Sequence, residues 1–282
     1  MEPLSDRIFQ LVVSEMKQIV SAENPIYKAA AQLKQKKYRD EQRKYLIEGP
    51  NLIREALRNG GEIELLLRSE DFRNEDFRNE DFRNEGFDPG ETDAQAAVLT
   101  PGLFRRLSDT ETPQGIMAVV RKKVYSEEAF FSGRPAASNV IVLDRLQDPG
   151  NIGTILRTAD AAGYLGAILL KGTADIYSPK IVRAAAGSLF RLPVLLTDTP
   201  AQAMRLLREH RKNIFCTSLD CSSFYYDADL SENAAVVIGN EGNGVCDEFL
   251  EQSDRLLKIP MAGSIESRSE ERRVGKECRS RW

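Results

Sequence analysis

Histidine is almost absent from this sequence, because its 282 residues include a single one, His210. This scarcity excludes a metal site built from several histidines, and a serine or cysteine nucleophile that depends on histidine would have to use this one residue. His210 lies in the charged run 208–212, so we expect an exposed histidine at a helix end. The cysteines match no zinc-binding or Cys-x-x-Cys spacing, and we expect free thiols; they are Cys216, Cys221, Cys246 and Cys278.

Long apolar runs are also lacking. The longest, such as 164–170, are too short to span a bilayer, and residues 1–10 carry Glu2 and Asp6 without the apolar stretch of a secretory signal. We therefore expect a cytoplasmic protein. The formal net charge of −4 argues against a broad basic surface for nucleic acid, although a local patch can still bind phosphates.

The N-terminal region contains two helix-like patterns. Apolar residues at helical spacing between Leu4 and Val20 predict an N-terminal helix within residues 1–23. Residues 28–44 carry seven Lys or Arg and two acids, and three tyrosines are interleaved with them: Tyr27, Tyr38 and Tyr45. This segment is either a solvated helix face or a phosphate-binding patch with aromatic rings for stacking. The second hypothesis makes these residues contact RNA: Lys36, Lys37, Arg39 and Arg43.

Alternating strand and helix patterns predict a small α/β domain over residues 24–123. Its predicted strands lie at 45–50, 63–67, 97–99 and 116–120, and its helices at 51–59 and 100–107. Inside it, the sequence Glu-Asp-Phe-Arg-Asn occurs three times between Glu70 and Asn84. A five-residue period fits neither a helix nor a strand, so we predict an exposed, disordered loop over 70–90. Small and turn-forming residues predict a linker over 124–138.

Continuous apolar runs predict a second α/β domain over residues 139–267, with a parallel sheet buried on both faces. The runs lie at 139–143, 167–170, 193–196, 214–217 and 234–238, with helices predicted at 151–163 and 201–209. Polar and glycine-rich segments follow Leu143, Ile238 and Ile259, where ligands of open α/β sheets usually bind. Neither a Walker A sequence nor G-x-G-x-x-G occurs here, and each glycine alone indicates only a tight turn.

Three motifs occur in order in this second region: Asn151-x-Gly153-x-x-x-Arg157, Gly239-Asn240-Glu241-Gly242-x-Gly244 and Ile259-Pro260-Met261-x-Gly263-Ser264. They resemble motif 1, motif 2 and the opening of motif 3 of the SpoU/TrmH branch of the SPOUT methyltransferases. Residues 178–187 resemble the middle segment of that family. The sequence at 45–50 and 112–120 resembles its L30e-like substrate-binding domain. The resemblance extends over residues 24–267, apart from the repeat.

The resemblance implies an RNA 2′-O-ribose methyltransferase that uses S-adenosylmethionine, acts on rRNA or tRNA, and needs no metal. It implies an N-terminal L30e-like α/β domain and a C-terminal parallel-sheet SPOUT domain with a trefoil knot, through which the protein forms a homodimer. By residue-wise match, S-adenosylmethionine would contact Gly239, Ile259, Gly263 and Ser264. Arg157 would act on the ribose 2′-hydroxyl, while Asn151 and Glu241 would hold the loop and the arginine in place.

In the family, the arginine that corresponds to Arg157 is often assigned as the base that removes the hydroxyl proton. A guanidinium does not readily deprotonate in proteins. We therefore expect Arg157 to bind the 2′-oxygen or the adjacent phosphate as a fork, with the proton leaving through phosphate or water. Asn151 lies six residues earlier, which predicts that both residues share one side of a helix that Asn151 caps.

The sequence departs from the family after Ser267. The family continues motif 3 with Leu-Asn-Val-Ser and an apolar helix, whereas nine of the fifteen residues in 268–282 are charged and form no apolar stripe. Arg268 stands where the family places a leucine against the cofactor. We expect this end to come from a frameshift, a truncated gene or a vector, which would leave the knot incomplete and the chain inactive. The alternative function is then an RNA-binding protein without methyltransferase activity. A different nucleotide-binding α/β enzyme would need a phosphate loop that the sequence lacks.

Overall fold

The computed structural model describes residues 17–72, 94–132, 135 and 138–260. The chain divides into two compact units. Unit 1 contains residues 1–123 together with 175–191, and unit 2 contains residues 124–174 and 192–282. No helix in the described part of the chain is both long and apolar enough to cross a membrane.

The described part of unit 1 contains five strands, β1 (Lys17–Ile19), β2 (Lys44–Glu48), β3 (Ile63–Ser69), β4 (Gln95–Leu99) and β5 (Ile116–Arg121). They form one mixed sheet in the order β1-β4-β3-β5-β2, in which β1 and β3 run parallel to β4 while β5 runs antiparallel to β2 and β3. Its helices include α1 (Pro25–Gln32), α2 (Lys36–Gln42), α3 (Pro50–Arg58) and α4 (Pro101–Leu107). The strands and helices predicted between residues 45 and 120 are confirmed, with small shifts at their ends.

The N-terminal helix predicted within residues 1–23 is wrong at its C-terminal end, because Lys17–Ile19 is a strand. Ile19 is buried and pairs with Leu99, so hydrogen bonding to the edge of the sheet decides its conformation rather than local periodicity. Residues 1–16 of that prediction lie outside the described residues. The predicted loop over 70–90 also needs a correction, because Phe72 is buried against Gly115; residues 73–90 lie outside the described residues.

Residues 175–191 belong to the predicted second domain in sequence but pack in unit 1. They form α7 (Pro179–Ala184) and α8 (Ser188–Arg191), which follow the first two helices of unit 2 in the chain. Val182 and Phe190 join the apolar cluster of Ile47 and Ile53. The predicted domain 139–267 is thus continuous in sequence, whereas unit 2 is interrupted by this segment.

Unit 2 contains a parallel sheet of six described strands, in the order β11-β9-β10-β6-β7-β8. The strands are β6 (Val140–Asp144), β7 (Gly166–Leu170), β8 (Val194–Thr197), β9 (Asn213–Thr217), β10 (Ala234–Gly239) and β11 (Arg255–Leu257). Its described residues form the helices α5 (Glu127–Ser132), α6 (Pro149–Ala161), α9 (Pro200–Glu209) and α10 (Asp247–Gln252). Every residue of β6 and β7 is buried, which confirms the prediction of strands covered on both faces.

The predicted linker over 124–138 is wrong in part, because it contains α5. Phe130 is fully buried in the core of unit 2, and a Cβ added to Gly166 would overlap its ring. Phe131 stacks on His210 with 3.7 Å between ring centroids. His210 is exposed just after α9, as predicted. Burial of two adjacent aromatic rings stabilises a helix that is too short for its periodicity to be recognised.

Candidate methyl-transfer site

The loops that carry the three motifs leave the same edge of the sheet in unit 2. All paired strands of this sheet are parallel, so the carboxyl ends of β6, β10 and β11 lie together. Residues 145–148 follow β6, residues 240–246 follow β10, and residues 258–260 follow β11. The predicted convergence of the motif 1 and motif 2 loops is confirmed by the contacts of Glu241.

Glu241 joins the two loops through its carboxylate. Its Oε2 accepts a hydrogen bond from the backbone N–H of Gln147 at 3.0 Å, and its Oε1 accepts from the backbone N–H of Asp148 at 2.9 Å. The amide Nδ2 of Asn151 lies 3.4 Å from the same Oε1. Partial burial raises the pKa of Glu241, but these hydrogen bonds together outweigh burial and lower the pKa below its usual value. Glu241, in the motif 2 loop, is therefore a carboxylate that accepts from three donors of the motif 1 segment.

The motif 2 loop is a tight turn built around Asn240. Its backbone exchanges two hydrogen bonds with Gly244, at 3.0 and 2.8 Å. Its side-chain oxygen accepts from the backbone N–H groups of Gly242 and Asn243 at 3.0 Å each, while its Nδ2 donates to the carbonyl of Arg145 at 2.8 Å. The glycine before it, Gly239, packs so closely that an added Cβ would overlap the Gly244 carbonyl carbon and the Val245 nitrogen.

Asp144 is a site residue that the motifs did not reveal. It is fully buried at the end of β6, and its Oδ2 accepts from the backbone N–H of Cys246 at 2.7 Å. Its Oδ1 accepts from Nε of Arg145 at 2.7 Å, and this hydrogen bond raises the pKa of Arg145. Arg145 has φ 60°, an uncommon conformation for a residue with a Cβ. A charged residue that ends an otherwise apolar run was the signal available in the sequence.

Asp148, rather than Asn151, caps helix α6. The Asp148 side chain accepts from the backbone N–H of Asn151 at 2.7 Å, so the predicted capping by Asn151 is wrong. This arrangement frees the Asn151 amide to face Glu241. Arg157 lies on the same helix and is exposed. Among the described residues, its guanidinium forms no hydrogen bond with Asn151 or Glu241. Six residues along an α-helix correspond to a rotation that leaves two side chains about 120° apart, so the prediction that Asn151 and Arg157 share one side of the helix is wrong.

Ile259, the first residue of motif 3, is exposed just beyond β11. The two other residues predicted to contact the cofactor in motif 3, Gly263 and Ser264, lie outside the described residues. Gly239 stands at the end of β10, beside Asp144 in the register of the sheet. The absence of a side chain at Gly239 allows the backbone of Gly244 and Val245 to approach β10 closely, so this glycine sets the position of the motif 2 loop.

The predicted RNA-contacting residues in unit 1 differ in exposure. Lys36 and Lys37 are exposed on α2 and form ion pairs with Asp40 and Glu41. Arg43 is exposed directly after that helix. Arg39, in contrast, is buried and donates to Asp175 and to the carbonyls of Leu33 and Lys34.

Arg39 is therefore a structural residue, and its prediction as an RNA contact is wrong, because its hydrogen-bonding groups point into the protein. Tyr27 and Tyr45 are also buried, so these rings do not stack on bases. Among the described residues, no group of three or more His, Cys, Asp or Glu side chains could hold a metal ion. The thiols of Cys216, Cys221 and Cys246 are free, as predicted.

Family comparisons match both parts of the chain. Residues 138–267 match the SpoU rRNA methylase family, and residues 24–118 match the MRM3-like substrate-binding domain. The first match contains the three motifs and ends at Ser267, directly before the charged segment.

Among characterised relatives, a 23S rRNA (guanosine(2553)-2′-O)-methyltransferase from Bacillus subtilis is 37% identical over 252 residues, which cover 89% of this chain and 94% of the relative. A 23S rRNA (uridine(2479)-2′-O)-methyltransferase from Streptomyces viridochromogenes is 33% identical over 183 residues and 60% of each chain.

Solved structures share the same fold. An AdoMet-bound rRNA methyltransferase from Sinorhizobium meliloti superposes with a TM-score of 0.76 at 30% identity, over 89% of this chain and 92% of the other. The SpoU methyltransferase AviRb from Streptomyces viridochromogenes, in complex with AdoMet, gives a TM-score of 0.75 at 27% identity, over 87% and 92%. The parallel-sheet architecture predicted for the second region is thus confirmed.

Proposed function

Because the chain belongs to the SpoU family of RNA 2′-O-ribose methyltransferases, which use S-adenosylmethionine, we propose that it methylates 23S ribosomal RNA at a guanosine. The Bacillus subtilis relative, named for that activity, aligns over nearly its whole length. The uridine-specific relative aligns over a smaller part of both chains. The observation that carries the proposal is the Glu241 carboxylate, which joins the motif 1 and motif 2 loops beside the helix of Arg157.

Arg157 is the residue that acts on the ribose in this proposal. S-adenosylmethionine supplies a methyl group on a sulfonium, so the chain must position the 2′-oxygen and stabilise the negative charge that develops on it. A guanidinium offers two parallel N–H groups to an oxygen or a phosphate, and Arg157 is exposed on α6. The proton leaves to the adjacent phosphate or to water, because Arg157 stays protonated.

Glu241 and Asn151 are positioning residues in this account. Glu241 holds the turn before α6 by accepting hydrogen bonds from the N–H groups of Gln147 and Asp148. The side-chain amide of Asn151 donates to the same carboxylate. Backbone groups near Gly239 and Ile259, continued by Gly263 and Ser264, bind the methyl donor. Lys36, Lys37 and Arg43 supply exposed positive charge for the RNA backbone.

The proposal is tested by methyl transfer to RNA of known sequence. One protein is the chain itself, and the other, the tail-replaced protein, carries residues 1–267 followed by the corresponding C-terminal segment of the Bacillus subtilis relative. Each is incubated with tritiated S-adenosylmethionine and with unmodified transcripts of 23S rRNA, 16S rRNA and tRNA. We expect label from the tail-replaced protein in 23S rRNA, on the ribose of a guanosine by mass spectrometry. Label on a base, or in tRNA alone, would contradict the proposal.

The second candidate function is RNA binding without methyl transfer. It is favoured by the family match, which ends at Ser267 where the charged residues begin. Calorimetry with S-adenosylmethionine separates the two candidates. Binding by the tail-replaced protein but not by the chain would assign the defect to residues 268–282 alone. Binding by both would support methyltransferase activity for the chain as it stands.

A homodimer in the cytoplasm completes the proposal. The support is the resemblance of the motifs to a family that dimerises through its C-terminal domain. Light scattering on the tail-replaced protein should give twice the mass of one chain, and a monomer there would contradict this part of the proposal.

A further inference from the structure

Two exposed tyrosines lie in the loop between β9 and β10. Tyr225 is 49% exposed and Tyr226 is 60% exposed. Their ring centroids are 5.3 Å apart in an edge-to-face arrangement, and Tyr226 stacks on Phe224 with centroids 5.2 Å apart. Large aromatic surfaces left in water beside one another commonly mark a binding surface.

The three aromatic residues are held in place by the backbone. Tyr225 N–H donates to the carbonyl of Lys258, and the N–H of Lys258 donates to the carbonyl of Ser223, both at 3.0 Å. Asp227 Oδ2 accepts from the N–H of Phe224 at 2.9 Å, closing the turn. A turn whose backbone is already ordered loses little conformational entropy when a ligand stacks on its rings.

This cluster lies on the edge of the sheet that carries the methyl-transfer residues. Phe224 pairs with Lys258 directly after β11, whose carboxyl end shares the edge with that of β6. Three strand spacings separate β11 from β6, a distance of about 14 Å at about 4.8 Å each. A few nucleotides of single-stranded RNA can bridge that distance.

The charges around the tyrosines favour a base over a phosphate as the bound group. Arg255 donates to the carbonyl of Asp227 at 2.8 Å, and Lys258 lies 5.2 Å from the centroid of the Phe224 ring. Against these two cations, the loop carries four acids: Asp220, Asp227, Asp229 and Glu232. A net acidic loop does not attract phosphates, whereas stacking on an aromatic ring does not depend on charge and is available to every base.

We propose that Tyr225 and Tyr226 form a platform on which an unpaired base of the RNA substrate stacks, close to the nucleotide that is methylated. The inference rests on the proposed function, because it needs an RNA substrate. A second copy of the chain is the main competing occupant, since Leu219 and Ile259 are further exposed apolar residues of the neighbouring loops. The position of the cluster favours the base, because the tyrosines follow the same edge of the sheet as the methyl-transfer residues.

The test compares four tail-replaced proteins: the unchanged one, Tyr225→Ala/Tyr226→Ala, Tyr225→Phe/Tyr226→Phe, and Leu196→Ala, which removes an exposed apolar side chain on β8. Filter binding measures the Kd for an unmodified 23S rRNA transcript at several salt concentrations. We expect the alanine pair to bind RNA about tenfold more weakly. The phenylalanine pair and Leu196→Ala should bind like the unchanged protein. The salt dependence should keep its slope, because no phosphate contact is removed.

Three results would overturn the inference. Equal RNA affinity of the alanine pair shows that the rings do not contact RNA. Loss of S-adenosylmethionine binding in calorimetry assigns the rings to the methyl-donor pocket, and a change of mass in light scattering assigns them to a subunit interface. If the unchanged protein fails to bind rRNA, the proposed function fails together with the inference. If the unchanged protein and the alanine pair bind rRNA equally well, the inference alone fails.

Discussion

Asp144 shows how one buried carboxylate can hold a site together. It accepts from the N–H of Cys246, at the start of α10, and from the side chain of Arg145, whose carbonyl in turn accepts from Asn240. Burial without these partners would be unfavourable, because a carboxylate loses its hydration when it leaves water. The geometry of the motif 2 loop therefore depends on a residue outside all three motifs.

Asp144→Asn should lower the free energy of unfolding by about 2 kcal/mol, because hydrogen bonds to a charged group become hydrogen bonds to a neutral amide. Urea denaturation measures this change. Asp198→Asn is the matched control, since Asp198 forms an exposed pair with Lys171 and its loss should cost less than about 1 kcal/mol. Equal effects of the two substitutions would show that burial of Asp144 gives it no special role.

Arg39 and Lys37 lie two residues apart and are expected to respond in opposite ways. Arg39→Met breaks a buried pair with Asp175 and should destabilise the protein by about 3 kcal/mol. Lys37→Met removes an exposed charge, so we expect unchanged stability and weaker binding of rRNA. Urea denaturation and filter binding measure the two effects. An Arg39→Met protein of normal stability would contradict the structural role.

The sequence could not have separated these two residues. Arg39 pairs with the carboxylate of Asp175, which lies 136 residues further along the chain. The sequence pattern assigns the segment of Asp175 to the second domain. Periodicity and composition contain no information about such a pair. The location of the loops of Asn151 and Glu241, in contrast, was predictable because a parallel sheet brings the carboxyl ends of its strands together. The choice of these two residues within the loops came from the resemblance of the motifs to the family.

At the scale of elements, the loop after β10 depends on a glycine at its first position. Gly239→Ala should displace the 240–246 loop, because the new Cβ would overlap the backbone of Gly244 and Val245. We expect at least tenfold weaker binding of S-adenosylmethionine to the tail-replaced protein, measured by calorimetry. Gly242→Ala is the control in the same loop, because its Cβ would lie 3.6 Å from the nearest atom, Asn240 Oδ1. Similar affinities of the two variants would contradict this account of the loop.

The elements that could be predicted from the sequence are those whose burial produces a regular pattern of apolar residues. Strands β6 and β7 are buried on both faces and appear as continuous apolar runs. The strand β1 and the helix α5 show no such pattern, because each is short and is stabilised by residues far away in sequence. Strand β1 pairs with β4, and α5 packs Phe130 and Phe131 into the core of unit 2.

At the scale of the whole molecule, family and activity depend on different parts of the chain. The match to the SpoU family extends over residues 138–267, and the hydrogen bonds that join its first two motifs lie within the described residues. Residues 268–282 contribute nothing to that assignment. Comparing the chain with the tail-replaced protein therefore tests activity without changing the evidence for the family.

The central claim is that Arg157 acts on the ribose 2′-oxygen as a charged fork and not as a base. Its most direct test is Arg157→Lys in the tail-replaced protein, because lysine keeps the charge and loses the paired N–H groups. Single-turnover methylation of the 23S rRNA transcript measures the chemical step, and calorimetry measures the Kd for S-adenosylmethionine. We predict a rate lower by about 100-fold with an unchanged Kd. A rate within a few-fold of the unchanged protein would contradict the claim.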